Sequence, residues 1–394
     1  MTIQIKSDNP SFVLHGIHKT SFDERPVPTI GDDQVLIQIA KTGICGSDVH
    51  YLNHGRIGSF VLEQPMCLGH ESSGIVVKLG PSVSPTFGLS VGTKVALEPA
   101  TVCHTCVYCK KGEYNLCPHM TFAATPPYTY GTLCRYYVLP ADSLHILPDN
   151  VDLEDGAMME PLSVAVHSVA AVGGMRTDWN VVVFGAGPVG LLAMAVAKAL
   201  GGNKIYAVDI NEERLKFATG YAATDSFLPS PKKEGESTDD YTLRLATELQ
   251  HSLSVPTFGP GSIDLVIDAS GAGVCIATGL HVLRPGGTFV QVGMGPPSQT
   301  LPVFAILTKE LKFLGSFRYG PGDYPLAISL VSRGLIDLKP LITHRYKFTD
   351  ALAAFQTTQK GKGEDGKVSQ STQSAHGKLR RLQPVIKCII DGPE

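Results

Sequence analysis

The sequence is poor in charged and aromatic residues: charged residues make up 18% of its 394 residues, aromatic residues 7%, and tryptophan occurs once. Its 33 Lys and Arg nearly cancel its 36 Asp and Glu, so no electrostatic attraction to nucleic acid or to an anionic membrane is expected. A hydrophobic fraction of 43% excludes a disordered chain and is sufficient for two or three globular domains. The composition therefore favours a globular protein that binds a small neutral molecule.

The sequence also lacks an uninterrupted apolar run long enough to cross a membrane. Its longest candidate, 181–200, is broken by three glycines, a proline and Lys198, which indicates a strand, a turn and a helix. The N-terminal residues carry neither the basic start nor the apolar run of a secretory signal. We therefore expect a cytoplasmic protein with reduced cysteines and no membrane partner.

The pattern of secondary structure changes along the chain. Short β-branched runs broken by Gly and Pro fill the first 150 residues and predict a compact, barrel-like β unit. Beyond Met158, strand and helix patterns alternate through 181–293, which predicts a parallel, doubly wound sheet. The polar stretch 230–260 interrupts this alternation and is interpreted as a surface insertion. No internal repeat is present, which excludes solenoids and propellers.

A glycine-rich motif between a predicted strand and a predicted helix points to a dinucleotide. The motif consists of Gly185, Ala186, Gly187, Pro188, Val189 and Gly190. Its glycines allow a tight turn, the approach of a pyrophosphate to the backbone, and close packing of helix on strand, with the phosphate at the helix N-terminus. The competing interpretation is a glycine-rich turn in another kind of α/β sheet.

Asp209 ends the next predicted strand, where a carboxylate would accept a hydrogen bond from the adenosine ribose. A 2′-phosphate about 4 Å away would be repelled by roughly 4 kcal/mol at an effective dielectric near 20. NAD is therefore expected rather than NADP, although Arg214 would soften this preference.

Four cysteines fall within one short segment, at Cys103, Cys106, Cys109 and Cys117. Their number and spacing suit a closed tetrahedral zinc site, which can fix a loop but has no open position for chemistry. The competing interpretation is four free thiols.

A second, catalytic metal would need an open position, and spacing alone does not reveal it. The candidate ligands are dispersed along the chain: Cys45, His70, Glu71 and Glu160.

Several motifs together resemble the zinc-containing medium-chain dehydrogenase/reductase superfamily. Residues 68–83, LGHESSGIVVKLGPSV, resemble its G-H-E-x2-G zinc signature. Further matches, together with the four-cysteine segment, run along nearly the whole chain: GICGSDVHY (43–51), MEPLSVAVHS (159–168), GAGPVG (185–190) and GSFRYG (315–320). The closest group is the polyol dehydrogenases, and within it the fungal xylitol dehydrogenases (D-xylulose reductases).

The resemblance implies an α/β fold that combines a Rossmann doubly wound parallel sheet with a GroES-like β-rich catalytic domain. It places the catalytic domain with its structural-zinc loop at 1–158, the NAD-binding domain at 159–297, and a return to the catalytic domain at 298–394. It also implies a homo-oligomer, most often a tetramer. The polar segment 361–383 departs from the family pattern and is either a tolerated surface loop or translated intron sequence.

The resemblance also assigns roles within the site. It implies a catalytic zinc on Cys45, His70 and Glu71, with Glu160 as a second glutamate; whether Glu71 or Glu160 touches the ion at rest stays open. Asp48 would orient the liganding histidine. Ser47 and His50 match a relay that carries the proton away. The residues expected to line the polyol pocket are Tyr51, Phe122, Thr125, Arg318 and Tyr319.

The activity implied is NAD- and zinc-dependent oxidation of xylitol at C2 to D-xylulose, with two zinc ions per chain. Sorbitol or L-arabinitol is the alternative substrate for the same site. A different class of function is a non-catalytic protein that binds zinc and NAD. The retention of Cys45, His70, Glu71 and Glu160 together argues against it, because a four-cysteine module needs none of them.

Overall fold

The computed structural model describes residues 3–363 and 383–394 of the chain. It divides into two compact units, Met1–Glu160 with Asp337–Glu394, and Pro161–Ile336. Most of the predicted polar segment 361–383 lies outside the described residues.

Within the described ranges the strands are, in chain order, β1 (Asn9–Gly16), β2 (Lys19–Arg25), β3 (Gln34–Gly43), β4 (Arg56–Ile57), β5 (Phe60–Val61), β6 (Met66–Cys67), β7 (Glu71–Leu79), β8 (Lys94–Leu97), β9 (Ala100–Thr101), β10 (Thr121–Phe122), β11 (Tyr136–Pro140), β12 (Leu144–Ile146), β13 (Asn180–Phe184), β14 (Lys204–Val208), β15 (Asp225–Phe227), β16 (Ile263–Asp268), β17 (Leu283–Gln291), β18 (Lys312–Gly315), β19 (Ile342–Tyr346), β20 (Lys362–Gly363), β21 (Gln383–Pro384) and β22 (Lys387–Asp391). The α-helices in the same ranges are α1 (Gly46–His54), α2 (Val107–Lys111), α3 (Leu153–Ala157), α4 (Met159–Val166), α5 (Pro188–Ala199), α6 (Glu212–Tyr221), α7 (Thr238–Ser252), α8 (Gly273–Val282), α9 (Val303–Thr308), α10 (Asp323–Ser332) and α11 (Ala351–Lys360).

The first unit is built around a largely antiparallel sheet in the order β12-β8-β7-β3-β22-β19, with β11 also paired to β3. Alternating apolar residues of these strands form its core. The central strand β3 places Gly43 opposite Glu71 of β7 on one side and opposite Ile389 of β22 on the other. Segments far apart in sequence therefore meet at the end of β3, where α1 begins.

The second unit contains a six-stranded parallel sheet in the order β15-β14-β13-β16-β17-β18. In sequence order this is 3-2-1-4-5-6, the arrangement of doubly wound dinucleotide-binding folds. Residues Val181–Phe184 of β13 are fully or almost fully buried, as expected for a strand covered on both faces. The predicted fold class, a Rossmann sheet with a β-rich second domain, is confirmed.

The apolar run 181–200 divides into β13 and α5, as predicted. The turn between them contains Gly187, and Pro188 is the first residue of α5, a position that tolerates proline because its missing N–H has no helical partner there. In the part of the chain that the structure describes, no helix combines the length and apolar character that a membrane span needs.

Two parts of the second unit differ from the sequence-based interpretation. The unit extends to Ile336 and not to 297, because β18 adds to β17 as the sixth strand of its sheet. The stretch 230–260 is also more than a surface insertion, because α7 packs Ala246 and Leu249 into the core of this unit. Its amphipathic sequence has the helical period, and tertiary packing buries the apolar face.

Candidate functional site

Three of the four dispersed ligand candidates lie together in the first unit. The ligand atoms of Cys45, His70 and Glu71 are all within 4.8 Å of one another. Cys45 precedes α1, whereas His70 and Glu71 stand at the start of β7. The pairing of β3 with β7 brings these segments together. Sulfur, imidazole and carboxylate in one group are the donors that zinc takes at catalytic sites.

The surroundings of His70 favour positive charge. Its Nδ1 lies 3.4 Å from Asp48 Oδ2, and Asp48 Oδ1 accepts a hydrogen bond from the Gly69 amide at 3.3 Å. Burial opposes a charged imidazole, yet Asp48 and Cys45 raise the pKa of His70 well above its usual value. His70 Nδ1 and Asp48 Oδ2 are both buried, and neither atom has a partner within hydrogen-bonding distance and angle among the described residues. This donor set therefore fits a cation such as zinc, and the position of Asp48 beside His70 is consistent with the predicted role of orienting that histidine, which stays a prediction.

Glu71 is held by a lysine that the sequence analysis missed. Lys387 Nζ donates to both carboxylate oxygens of Glu71, at 2.8 and 2.6 Å, and to the Ile44 carbonyl at 3.1 Å. The two side chains are 3% and 2% exposed. Burial disfavours the ammonium, but Glu71 and Cys45 outweigh it and raise the pKa of Lys387. The one sequence signal was a lysine inside the apolar strand VIKCII.

Gly43 makes room for this ion pair. A Cβ at Gly43 would lie 2.3 Å from Glu71 Oε2, so any other residue would displace the carboxylate.

Glu160 is 6% exposed and lies within electrostatic reach of Lys387, but it does not belong to the group formed by Cys45, His70 and Glu71. Its role as a zinc ligand stays a prediction.

The predicted relay residues stand on α1, directly after Cys45. Ser47 is half-buried and His50 is exposed, with its ring centroid 4.5 Å from that of His54. Tyr51, one of the predicted pocket residues, is 2% exposed. One short helix therefore carries groups that range from a buried aromatic to a histidine in contact with water.

Two further predicted pocket residues, Phe122 and Thr125, belong to the first unit, and Phe122 lies beside His70. The Phe122 ring centroid is 5.6 Å from that of His70. Thr125 is half-buried, and its hydroxyl donates to the Ala123 carbonyl at 3.4 Å. Phe122 therefore forms part of the wall around His70.

The remaining two predicted pocket residues, Arg318 and Tyr319, belong to the second unit. The Arg318 guanidinium lies 4.7 Å from the centroid of the Phe317 ring, and its backbone has φ of 56°. Tyr319 is 2% exposed and packs edge-on against Tyr324, with centroids 5.1 Å apart. Their contact with a substrate stays a prediction.

The four cysteines of the first unit form a compact group with all sulfurs within 4.8 Å. Cys103 Sγ lies 3.6 Å from Cys117 Sγ and 4.0 Å from Cys109 Sγ. A tetrahedral zinc with Zn–S bonds of about 2.3 Å requires sulfurs about 3.8 Å apart, so the spacing fits such a site. None of the nine cysteines, all of which lie within the described ranges, forms a disulfide.

The backbone of this loop stabilises thiolate. The amides of Cys106 and Cys109 each donate to the sulfur three residues earlier, at 3.4 Å. Hydrogen bonds from Thr105 and Cys106 lower the pKa of Cys103 to about 5, whereas partial burial and the neighbouring sulfurs raise the pKa of Cys109 to about 12. A cation held by the four sulfurs, such as zinc, would stabilise further thiolates in this loop.

The glycine motif of the second unit has the geometry of a phosphate-binding turn. Gly185 has φ of 92°, a conformation that favours glycine. A Cβ on Gly190 would lie 1.8 Å from the Gly185 carbonyl oxygen, so only glycine allows α5 to pack this closely on the turn. Around Gly187, at the N-terminus of α5, the space for a Cβ is open. A pyrophosphate could approach the backbone there.

Asp209 joins the end of β14 to this turn. Its Oδ2 accepts a hydrogen bond from the Ala186 amide at 2.8 Å, and its Oδ1 accepts one from the Asn211 amide at 2.9 Å. Arg214 lies 3.9 Å from the same carboxylate and is 46% exposed. A carboxylate fixed beside the phosphate turn is the arrangement that recognises an unmodified ribose.

Comparisons with known proteins agree with this geometry. The family described as "Alcohol dehydrogenase GroES-like domain" matches residues 31–149, and "Zinc-binding dehydrogenase" matches residues 188–333. The chain is 52% identical to the "Probable D-xylulose reductase A" of Neosartorya fischeri, over 91% of the chain and 95% of that protein. It is likewise 52% identical to the "D-xylulose reductase A" of Aspergillus niger, over 92% of the chain and 97% of that protein.

Similarity to solved structures extends over nearly the whole chain. The crystal structure of L-idonate 5-dehydrogenase from Escherichia coli superposes with a TM-score of 0.79 at 27% identity, covering 98% of both chains. The zinc-ligand candidates, the four-cysteine loop and the glycine motif therefore stand in a fold that these dehydrogenases share.

Proposed function

Because the chain belongs to the zinc-binding dehydrogenases with a GroES-like alcohol dehydrogenase domain, and is therefore an oxidoreductase, we propose that it oxidises xylitol at C2 to D-xylulose with NAD. The observation that carries the proposal is the group formed by Cys45, His70 and Glu71, found in a chain 52% identical to D-xylulose reductases. The donor set accounts for the chemistry, and the relatives indicate the substrate.

Two zinc ions per chain would occupy the two donor groups. Cys45, His70 and Glu71 would hold the catalytic ion, with Glu160 as a second carboxylate beside it. The four cysteines would hold a second, structural ion. Bound at the first group, zinc would supply a Lewis acid that lowers the pKa of a coordinated alcohol, as it lowers that of coordinated water.

The dinucleotide belongs to the second unit. The turn at Gly187 and the N-terminus of α5 would take the pyrophosphate, and Asp209 would accept the ribose hydroxyl hydrogen bond. Bound NAD would supply the acceptor for the hydride from C2. Asp209 disfavours a 2′-phosphate, and Arg214, which lies beside it, weakens that discrimination without removing it.

Side chains of the protein would transfer the proton and bind the substrate. Ser47 would accept the hydroxyl proton and pass it to His50, whose exposure lets it release the proton to water. In the first unit, Tyr51, Phe122 and Thr125 would contact the polyol; for Arg318 and Tyr319 of the second unit, substrate contact stays a prediction from the family resemblance. The resemblance gives Arg318 the role of a hydrogen-bond donor to polyol hydroxyls, so a substrate without those hydroxyls would leave donors of this half-buried guanidinium unpaired.

The protein acts in this proposal as a cytoplasmic homo-oligomer, a tetramer by family resemblance. Among the described strands, β18 pairs on one side only, with β17. Phe313 and Leu314 on this strand and Phe304 on α9 are 37%, 36% and 78% exposed. An apolar edge strand of this kind is suited to pairing with a second copy. Light scattering during size-exclusion chromatography measures the assembly.

A panel of polyols tests the proposed activity. NADH absorbance is followed with purified protein, NAD and xylitol, sorbitol or L-arabinitol, each with and without a chelator. The proposal expects the highest kcat/KM for xylitol and loss of NADH formation after metal removal. Equal kcat/KM for the three polyols would refute the substrate preference, and no NADH from any of them would refute the dehydrogenase activity.

A further inference from the structure

We propose that Lys387 is a positioning residue that restrains Glu71, so that this carboxylate is only partly available to the metal and a coordination position is left for substrate oxygen. The inference rests on the zinc site of the proposed function. Lys387 is not itself a metal ligand, and its role would be to weaken the binding of Glu71 to the ion relative to that of a substrate oxygen.

The contacts of Lys387 define this restraint. Its ammonium engages both oxygens of Glu71, so neither oxygen is released to a metal without weakening a buried ion pair. The Ile44 carbonyl takes a further hydrogen bond from the same nitrogen and fixes its position. Gly43 fixes the other side, because the Glu71 carboxylate fills the space that a Cβ would occupy. The Glu71 carboxylate is therefore held between the backbone of β3 and the ammonium group of Lys387.

The charges of the site require such a cation. A Cys45 thiolate, Glu71 and Glu160 carry three negative charges, whereas a zinc ion carries two positive ones. Lys387, within electrostatic reach of all three acidic groups, supplies the third. Without it the buried site would hold one surplus negative charge and Glu71 would lose its ion-pair partner, so the metal would be the nearest cation left to this buried carboxylate.

Lys387→Met tests the idea, because it removes the ammonium while keeping an unbranched side chain. We expect zinc at the Cys45 site to leave about tenfold more slowly into a colorimetric chelator, since a repelling cation is gone and Glu71 is released. We also expect the visible absorption of cobalt(II) exchanged into this site to weaken, because an additional ligand raises the coordination number. The variant should oxidise xylitol more slowly.

Two variants serve as controls. Lys387→Arg keeps the charge and should restore the zinc release rate and the cobalt spectrum. Lys41→Met removes another lysine of the same unit, whose Nζ lies 2.6 Å from Asp391, and should change neither. If Lys387→Met does not fold, Lys387→Gln, which keeps a donor but no charge, carries the same expectation.

The outcomes separate the inference from the proposed function. Zinc release that is unchanged or faster in folded Lys387→Met or Lys387→Gln would overturn it, because a lysine that only supports the fold would loosen the site when removed. If the zinc content of Cys45→Ser equalled that of the wild-type protein, the zinc site itself would be refuted.

Discussion

The carboxylate of Asp209 accepts a hydrogen bond from the amide of Ala186 at 2.8 Å, which fixes the end of β14 against the glycine turn after β13. Two consecutive strands of the parallel sheet are thus joined at the place where a dinucleotide would bind. The same carboxylate would both shape the turn and choose the cofactor.

Asp209→Asn should shift the cofactor preference from NAD toward NADP. The amide oxygen can still accept from Ala186, whereas the negative charge that repels a 2′-phosphate is lost. The ribose hydroxyl of NAD would also lose its hydrogen bond to a charged group, which is worth roughly 1.5–3 kcal/mol. The ratio of kcat/KM for NAD to that for NADP should therefore fall by about 10- to 100-fold. Glu212→Ala, an exposed acidic residue nearby on α6, is the matched control. An unchanged ratio in Asp209→Asn would mean that the ribose binds elsewhere.

Gly190→Ala should destabilise the second unit by about 1–3 kcal/mol, since the new Cβ would overlap the Gly185 carbonyl, which cannot move freely. The Kd for NAD should rise as well. Gly220→Ala is the control, because its Cβ would meet nothing within 4 Å on α6 and should be neutral or slightly stabilising. Thermal unfolding and NAD titration measure both variants; equal melting temperatures would contradict the close-packing explanation.

The glycine motif, Asp209 and the four cysteines could be predicted because each lies within one short segment with a strict spacing. Lys387 could not, because its role exists only when β22 returns beside β3 and brings it to Glu71. The burial of α7 was missed for a related reason, since its apolar stripe is visible in the sequence but the surface that covers it is not. Local patterns identify donors, whereas long-range strand pairing decides which of them meet.

Cys106→Ser should remove one of the two zinc ions per chain and lower the melting temperature by several degrees, because a closed zinc site contributes directly to folding. Zinc measured by mass spectrometry should fall to about half of the wild-type content for a two-site chain. Cys275→Ser, a free cysteine of the second unit, should keep the full zinc content. Full zinc content in Cys106→Ser would show that these thiols do not bind the ion.

Glu154→Gln should reduce stability at neutral pH but much less in acid. Both carboxylate oxygens of Glu154 accept from Arg345 at 2.8 Å, and this guanidinium holds the pKa of Glu154 below its usual 4.5. The ion pair is therefore complete above about pH 4.5 and is lost as the pH falls through the lowered pKa.

For this partly exposed pair the loss at pH 7 should be about 1 kcal/mol. Denaturant unfolding of Glu154→Gln and wild type over a pH series measures it, with the exposed Glu63→Gln as control. A difference that stayed constant down to the acid limit would show that Glu154 stabilises the fold by something other than its charge.

The most direct test of the catalytic centre is the zinc content and NADH formation of Cys45→Ser measured on the same preparation. The account predicts a folded protein that keeps its structural zinc and its affinity for NAD, loses the other zinc, and forms NADH from xylitol at least about a thousandfold more slowly, as expected when metal-assisted catalysis is removed. Wild-type NADH formation by a Cys45→Ser protein with undiminished zinc would contradict it.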